Sequence, residues 1–128
     1  MASKFTELAI DCADPNALSR FWCSVLDYEV QDEDDSIVTI GPPMLRDGED
    51  HPGPVPPTLT FAQVPEGKTV KNRLHLDLNP TDREQDEEVR RLFDLGARHA
   101  DIGQGDESWV VLADPEGNEF CVLASRRP

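Results

Sequence analysis

Apolar and polar residues alternate at two places in the chain, and a helical stripe follows each. Over residues 5–12, Leu8, Ile10 and Cys12 share one face of an extended segment, and Phe5, Glu7, Ala9 and Asp11 the other. Asp14 then suits a helix N-cap and Pro15 the first helical position. Leu18, Phe21, Trp22, Val25 and Leu26 recur at helical spacing as one buried stripe. Residues 28–30 and 37–40 read as short strands around the acidic turn Asp32-Glu33-Asp34-Asp35, a solvated run. A further strand is expected over 58–64.

The second half repeats this order. Residues 73–79 alternate, with Leu74, Leu76 and Leu78 opposite Arg73, His75, Asp77 and Asn79. Thr81 with Glu84 forms a capping-box pattern that opens a second helix. Val89, Leu92, Phe93 and Ala97 supply its buried stripe, and Gly96 a stop. Strands near 98–102, 107–113 and 118–124 complete the copy, the last two joined by the turn Asp114-Pro-Glu-Gly-Asn118. Glu7-Leu-Ala-Ile-Asp-Cys-Ala-Asp14 and His75-Leu-Asp-Leu-Asn-Pro-Thr-Asp82 match at an offset of 68. The expected organisation is one domain over 1–128: module one at 1–64, a polar linker at 65–71 and module two at 72–128. Within module one, the proline-rich stretch 41–57 breaks all periodicity, as a lid or as a plain insertion.

Composition narrows the function classes. Twelve Lys and Arg against 26 Asp and Glu leave a formal charge of −14, which argues against nucleic acid and anionic membrane surfaces. No run approaches the ~20 apolar residues of a membrane span, and the N-terminus lacks a signal-peptide stretch. Cys12, Cys23 and Cys121 are odd in number and lack C-x-x-C spacing, which disfavours a disulfide framework. A reducing cytoplasm is the expected location.

Strand parity points to a site. If the leucines pack under the helices, Glu7 and His75 take the opposite sheet faces at equivalent positions of the two halves. Phe120 and Val122 take the helix side of the last strand and leave Glu119, Cys121 and Leu123 opposite. Val110 and Leu112 likewise leave Trp109 and Val111 on the side of His75. Such a face, with Arg73 beside it, suits a ligand-binding concavity. His75 reads as a pocket ligand, a general base or a hydrogen-bonded structural histidine. Asp77 either orients its ring or sits at the surface near Arg73. Glu7 reads as a ligand, an acid/base carboxylate or an exposed strand residue. Trp109 is a pocket wall or core, Trp22 core, and Cys121 a small inert thiol rather than a nucleophile. Glu119 lies near the site or satisfies the adjacent turn. His51 has no placed partner, and His99 reads as surface.

The repeated strand–helix–three-strand unit, His75-Leu-Asp-Leu, and Trp109-Val-Val-Leu-Ala-Asp-Pro-Glu-Gly-Asn-Glu-Phe-Cys-Val-Leu123 resemble the vicinal oxygen chelate superfamily, in its glyoxalase-like, bleomycin-resistance-like branch. The resemblance runs from about residue 5 to residue 124, excluding the proline-rich loop. It implies an α+β fold of two tandem βαβββ modules whose curved mixed sheets form a cleft, and a homodimer. In metal-dependent members, strands of each module present His, Gln or Glu to a divalent ion. Carried over, those positions fall on Glu7, His75 and Cys121, with Gln63 the nearest candidate for the remaining one and Thr60 or Ala62 as alternatives. Cys121 departs from the Glu usual there. The set suits zinc or nickel better than a hard, oxygen-loving ion. The expectation is therefore a small-molecule-binding protein lacking the standard metal set. The alternative is a metal-dependent lyase, isomerase or dioxygenase acting on a substrate with vicinal oxygens.

Overall fold

A computed structural model describes residues 2–45 and 50–128. The chain divides into two compact units, Met1–Gly67 and Lys68–Pro128. Residues 46–49, inside the proline-rich stretch, lie outside the described residues, so the reading of 41–57 as lid or insertion falls partly on them.

The first unit runs β1 (Glu7–Cys12), α1 (Pro15–Leu26), β2 (Glu29–Glu33), β3 (Ile37–Gly41) and β4 (Thr58–Gln63). Its mixed sheet has the order β1-β4-β3-β2, with β1 and β4 parallel. Asp14 caps α1 as its pattern predicts, its carboxylate accepting from the Ala17 N–H at 3.1 Å. Leu18, Phe21, Trp22 and Val25 are buried, as are Val38, Ile40, Leu59 and Phe61 on one face of the sheet. The register puts Glu7, Ala9, Thr60 and Thr39 on the other face.

The acidic run differs from expectation, since Asp32 and Glu33 belong to β2 and only Asp34 and Asp35 turn. Asp34 accepts from the Ser36 and Ile37 N–H groups, and these bonds hold its carboxyl below the usual range. Gln31 sits at a bulge between Val30 and Asp32. It donates to the carbonyls of Pro42 and Leu45 at 3.2 and 2.6 Å, tying the start of the proline-rich stretch to the sheet. At Gly41 a Cβ would stand 2.5 Å from the Gln31 amide, so a larger residue there would displace that side chain from its bonds to Pro42 and Leu45. Tyr28 holds the other end, donating to the Pro57 carbonyl at 3.1 Å.

The second unit runs β5 (Asp77–Leu78), α2 (Gln85–Leu95), β6 (Arg98–His99), β7 (Val110–Ala113) and β8 (Glu119–Val122), in the order β5-β8-β7-β6. Both units are therefore βαβββ, the α+β architecture expected. β5 is shorter than the predicted 73–79. Asp77 is the Cα partner of Cys121, and β8 begins at Glu119, so residues 73–74 have no strand beside them. Leu74 accordingly lies 84% exposed instead of in the core.

α2 starts at Gln85, not after Thr81. Glu84 is its N-cap, and its N–H donates to the Glu87 carboxylate at 3.4 Å. Asp86, Glu87 and Glu88 then place negative charge on the positive end of the helix. Gly96 ends it at φ 121°, as predicted. Leu92 and Ala97 are buried with Leu112, Phe120 and Val122, whereas Phe93 is largely exposed. No helix among the described residues is long and apolar enough to cross a membrane.

Candidate functional site

The second unit gathers three chemically distinct side chains on one sheet face. Asp77 on β5 and Cys121 on β8 are direct neighbours across a parallel pair, and His75 precedes Asp77 by two residues. The Cys121 N–H donates to the Leu76 carbonyl at 2.9 Å, so the segment that carries His75 is held against β8 even where the strand has ended. His75 Nδ1 lies 3.0 Å from Asp77 Oδ1 and 3.8 Å from Cys121 Sγ. All three offer ligand atoms within 4.8 Å of one another. The imidazole and carboxylate are 41% and 49% exposed; the thiol is buried.

Hydrogen-bond bookkeeping fixes what this cluster does. An ionised carboxylate only accepts, so Nδ1 donates to Asp77 and the neutral ring keeps its lone pair on Nε2. Cys121 and Asp77 both face the same ring nitrogen. A thiol–imidazole–carboxylate relay requires them on opposite nitrogens, so this is not a nucleophile triad. Burial first, and then the Asp77 charge and hydrogen bond, push the Cys121 thiol up; Lys71 opposes weakly.

Glu119, two residues before Cys121, is nearly buried and accepts from Lys68 Nζ at 2.6 Å and from the Asn72 N–H at 3.3 Å. Burial would raise its pKa, but Lys68 and Asn72 outweigh it and hold the carboxyl below its ordinary value of 4.5. The folded state therefore favours the ionised form, a stabilisation present above the ordinary value and lost as pH falls through the folded one. Glu119→Gln should lower the melting temperature at pH 7 and leave it unchanged in acid, a difference read from thermal melts across pH. Lys68 falls in the stretch read as a linker, and nothing in its local pattern marks it as this partner.

In the first unit, Glu7 accepts from the Thr60 hydroxyl. Thr60 has one hydrogen to give, so Thr39, 3.0 Å away, donates to it in turn. Thr58, Thr60 and Ala62, not Gln63, are thus the β4 residues on the face of Glu7, and Thr60 is the one bonded to it. Gln63 falls on the parity of Leu59 and Phe61 and donates to the Ala13 carbonyl at 3.1 Å, which corrects its placement as a ligand beside Glu7. Arg73 lies exposed in a bend ahead of β5, and Asp77 pairs with His75 rather than with it. Trp109 stands just ahead of β7 at 39% exposure, so it is not a core residue. His99 is exposed on β6, as read, and the His51 carbonyl accepts from Lys4.

The glyoxalase-like domain profile matches residues 7–123. The chain belongs to this family. With it the chain joins the vicinal oxygen chelate superfamily. A glyoxalase/bleomycin resistance protein/dioxygenase family enzyme from Burkholderia phytofirmans PsJN superposes with a TM-score of 0.67 at 17% identity, over 94% of this chain and 97% of its own. The fosfomycin resistance protein FosX from Mesorhizobium loti gives 0.66 at 13% identity, over 98% and 94%. A FosX variant from Listeria monocytogenes, complexed with Mn(II) and 1S,2S-dihydroxypropylphosphonic acid, gives 0.67 at 16%, over 98% and 92%. These likenesses establish the fold. No functionally curated protein matches the sequence.

For this glyoxalase-like domain, the donors decide how well a metal fits. His75, Asp77 and Cys121 offer one nitrogen, one oxygen and one sulfur close enough to share an ion. Manganese prefers carboxylate, carbonyl and water oxygens, so a buried thiol on the floor of the cluster suits it poorly. Zinc accepts all three donor types.

Proposed function

We propose that this glyoxalase-like domain binds a small organic molecule on the sheet face of the second unit that carries His75, Asp77 and Cys121. One observation carries the reading: an imidazole and a carboxylate, 3.0 Å apart and each about half exposed, stand on a sheet face that Val111, Ala113 and the Cys121 thiol share with Arg98 and the Lys68-paired Glu119. A mostly apolar surface with a few fixed polar groups is the usual make-up of a ligand site. His75 Nε2 offers an acceptor, and Trp109, which strand parity places on the same side, offers a flat apolar wall. The FosX structure holding a dihydroxypropylphosphonic acid supports a ligand class with oxygens on adjacent carbons.

Calorimetry and thermal-shift measurements with diols, hydroxy acids, catechols and phosphonates, in chelator and with added metal, test this. At least one compound should bind, and His75→Ala should weaken it tenfold or more, about 1.4 kcal/mol. His99→Ala, remote in sequence and exposed, should change nothing. Binding indifferent to His75→Ala, or no binding under either condition, would refute the reading.

A second reading, a metal-dependent lyase, isomerase or dioxygenase, is favoured by the 4.8 Å grouping of three ligand atoms. An ion there would act as a Lewis acid on a substrate oxygen. His75 and Cys121 would hold it from β5 and β8, and Asp77, already beside both, would complete the set.

A further inference from the structure

The edge strand β6 brings to the site face a charge that no carboxylate answers. Arg98 is the Cα partner of Ala113, and Ala113 that of Glu119. Continuing the β5–β8 register two residues back from Asp77 and Cys121 sets His75 beside Glu119. Directly opposed residues point to the same side of a sheet, so His75, Glu119, Ala113 and Arg98 make one row across the second unit. We infer that Arg98 and Lys68 form an anion subsite in this row, so that the molecule bound beside His75 carries a carboxylate, phosphonate or phosphate group. The inference rests on the reading of this face as a ligand site and names the charge of what it takes.

Charge balance carries it. Glu119, the carboxylate of the row, is already engaged by Lys68 Nζ at 2.6 Å and by the Asn72 N–H at 3.3 Å. An ammonium has three donors, so Lys68 keeps two after that bond. Arg98 is exposed and makes no hydrogen bond or ion pair among the described residues, which leaves its whole donor fork to solvent. Only the Ala113 methyl stands between Arg98 and Glu119 in the row. Lys71 adds a third positive charge, close enough to act on the Cys121 thiol. Three cations thus meet two carboxylates, Asp77 and Glu119, in a chain whose formal charge is −14. The net field of such a chain repels anions, so one can be held only where short contacts outweigh that field. A guanidinium makes them by taking a planar oxyanion through two parallel N–H bonds. Strands ~4.8 Å apart put the His75 and Ala113 backbones, two strands away from each other, roughly 10 Å apart. The anionic group and the oxygen that meets His75 Nε2 therefore belong at opposite ends of the ligand.

The test uses the full chain in chelator with two probes of one shape that differ in charge, 3,4-dihydroxybenzoate and 3,4-dihydroxybenzamide. Calorimetry should show the acid binding about tenfold or more tightly than the amide. Arg98→Gln should bring the acid down to the amide's affinity, and Lys68→Gln should weaken the acid in the same direction. Arg98 lies exposed at the sheet edge, so its replacement should leave the fold intact, and thermal melts check this for both variants. His99→Ala, one residue on and facing the other side, should keep the full preference.

Equal affinity for acid and amide, a preference that survives Arg98→Gln, or no binding of either probe would overturn the subsite. His75→Ala judges the small-molecule reading separately. A neutral diol that needs His75, in a protein without preference for the acid, keeps that reading and ends this inference. An acid preference that needs Arg98 but not His75 does the reverse.

Discussion

Asp114→Ala should lower the stability of the protein by about 3 kcal/mol and its melting temperature by roughly 10 °C. Asp114 is fully buried in the hairpin between β7 and β8, where an isolated carboxylate would be costly. It is not isolated. Its Oδ1 accepts from the Glu116 and Asn118 N–H groups at 2.9 and 3.0 Å, and Oδ2 from the Asn118 amide at 3.0 Å. The backbone closes the same turn, with the Gly117 N–H on the Asp114 carbonyl at 2.8 Å and Gly117 at φ 89°. Alanine removes both carboxylate oxygens at once and leaves the Glu116 and Asn118 donors without their side-chain acceptor. Asp114→Asn keeps one acceptor oxygen and should lose only about 1–2 kcal/mol. Denaturant titration of the three proteins checks the ranking. Equal stability of wild type and Asp114→Ala would show that the turn is held by its backbone alone. The hairpin starts β8, so its loosening should also disturb the placement of Cys121.

Trp22→Ala should cost about 3–5 kcal/mol, the largest single effect expected in the first unit. Trp22 is 2% exposed on α1 and meets Phe21 edge to face, with ring centroids 5.2 Å apart and planes at 87°. Its removal empties the layer between α1 and the face of Val38, Ile40, Leu59 and Phe61. Thermal and urea unfolding measure the loss; a shift below about 1 kcal/mol would mean the helix is docked by other residues.

The parts legible in the sequence were those set by local chemistry. Alternation marked β1, the stripe from Leu18 to Val25 marked α1, and Asp14, Gly96 and the Asp114–Asn118 turn marked their own positions. What the sequence concealed depends on partners far along the chain. The length of β5 is set by where β8 begins, 42 residues after Asp77, and no window around Leu74 contains that information. The choice between Thr60 and Gln63 turns on the register of β4 against β1, and Glu7 meets a hydroxyl 53 residues away. α2 started late because Glu84, Glu87 and an acidic first turn form a better cap than Thr81, a contest between two neighbouring signals.

The site shows the same division. Parity alone put His75 and Asp77 on one face and Cys121 on the matching face of another strand. That Asp77 and Cys121 are direct partners, which makes a cluster of three donors out of two separate motifs, is a fact of register. Glu119, read beside Cys121 as part of the site, is drawn instead to Lys68, a residue whose linker surroundings carry no sign of structure.

The central claim, that His75 and its neighbours are where this glyoxalase-like domain meets its ligand, is tested most directly at the imidazole itself. With ring-15N-labelled protein, and His75 assigned through His75→Gln, long-range 1H–15N spectra follow each ring nitrogen during titration with whichever compound binds. The account predicts that the His75 resonances move with saturation while those of His51 and His99 stay fixed. A ligand that saturates the protein and leaves His75 unmoved would contradict it.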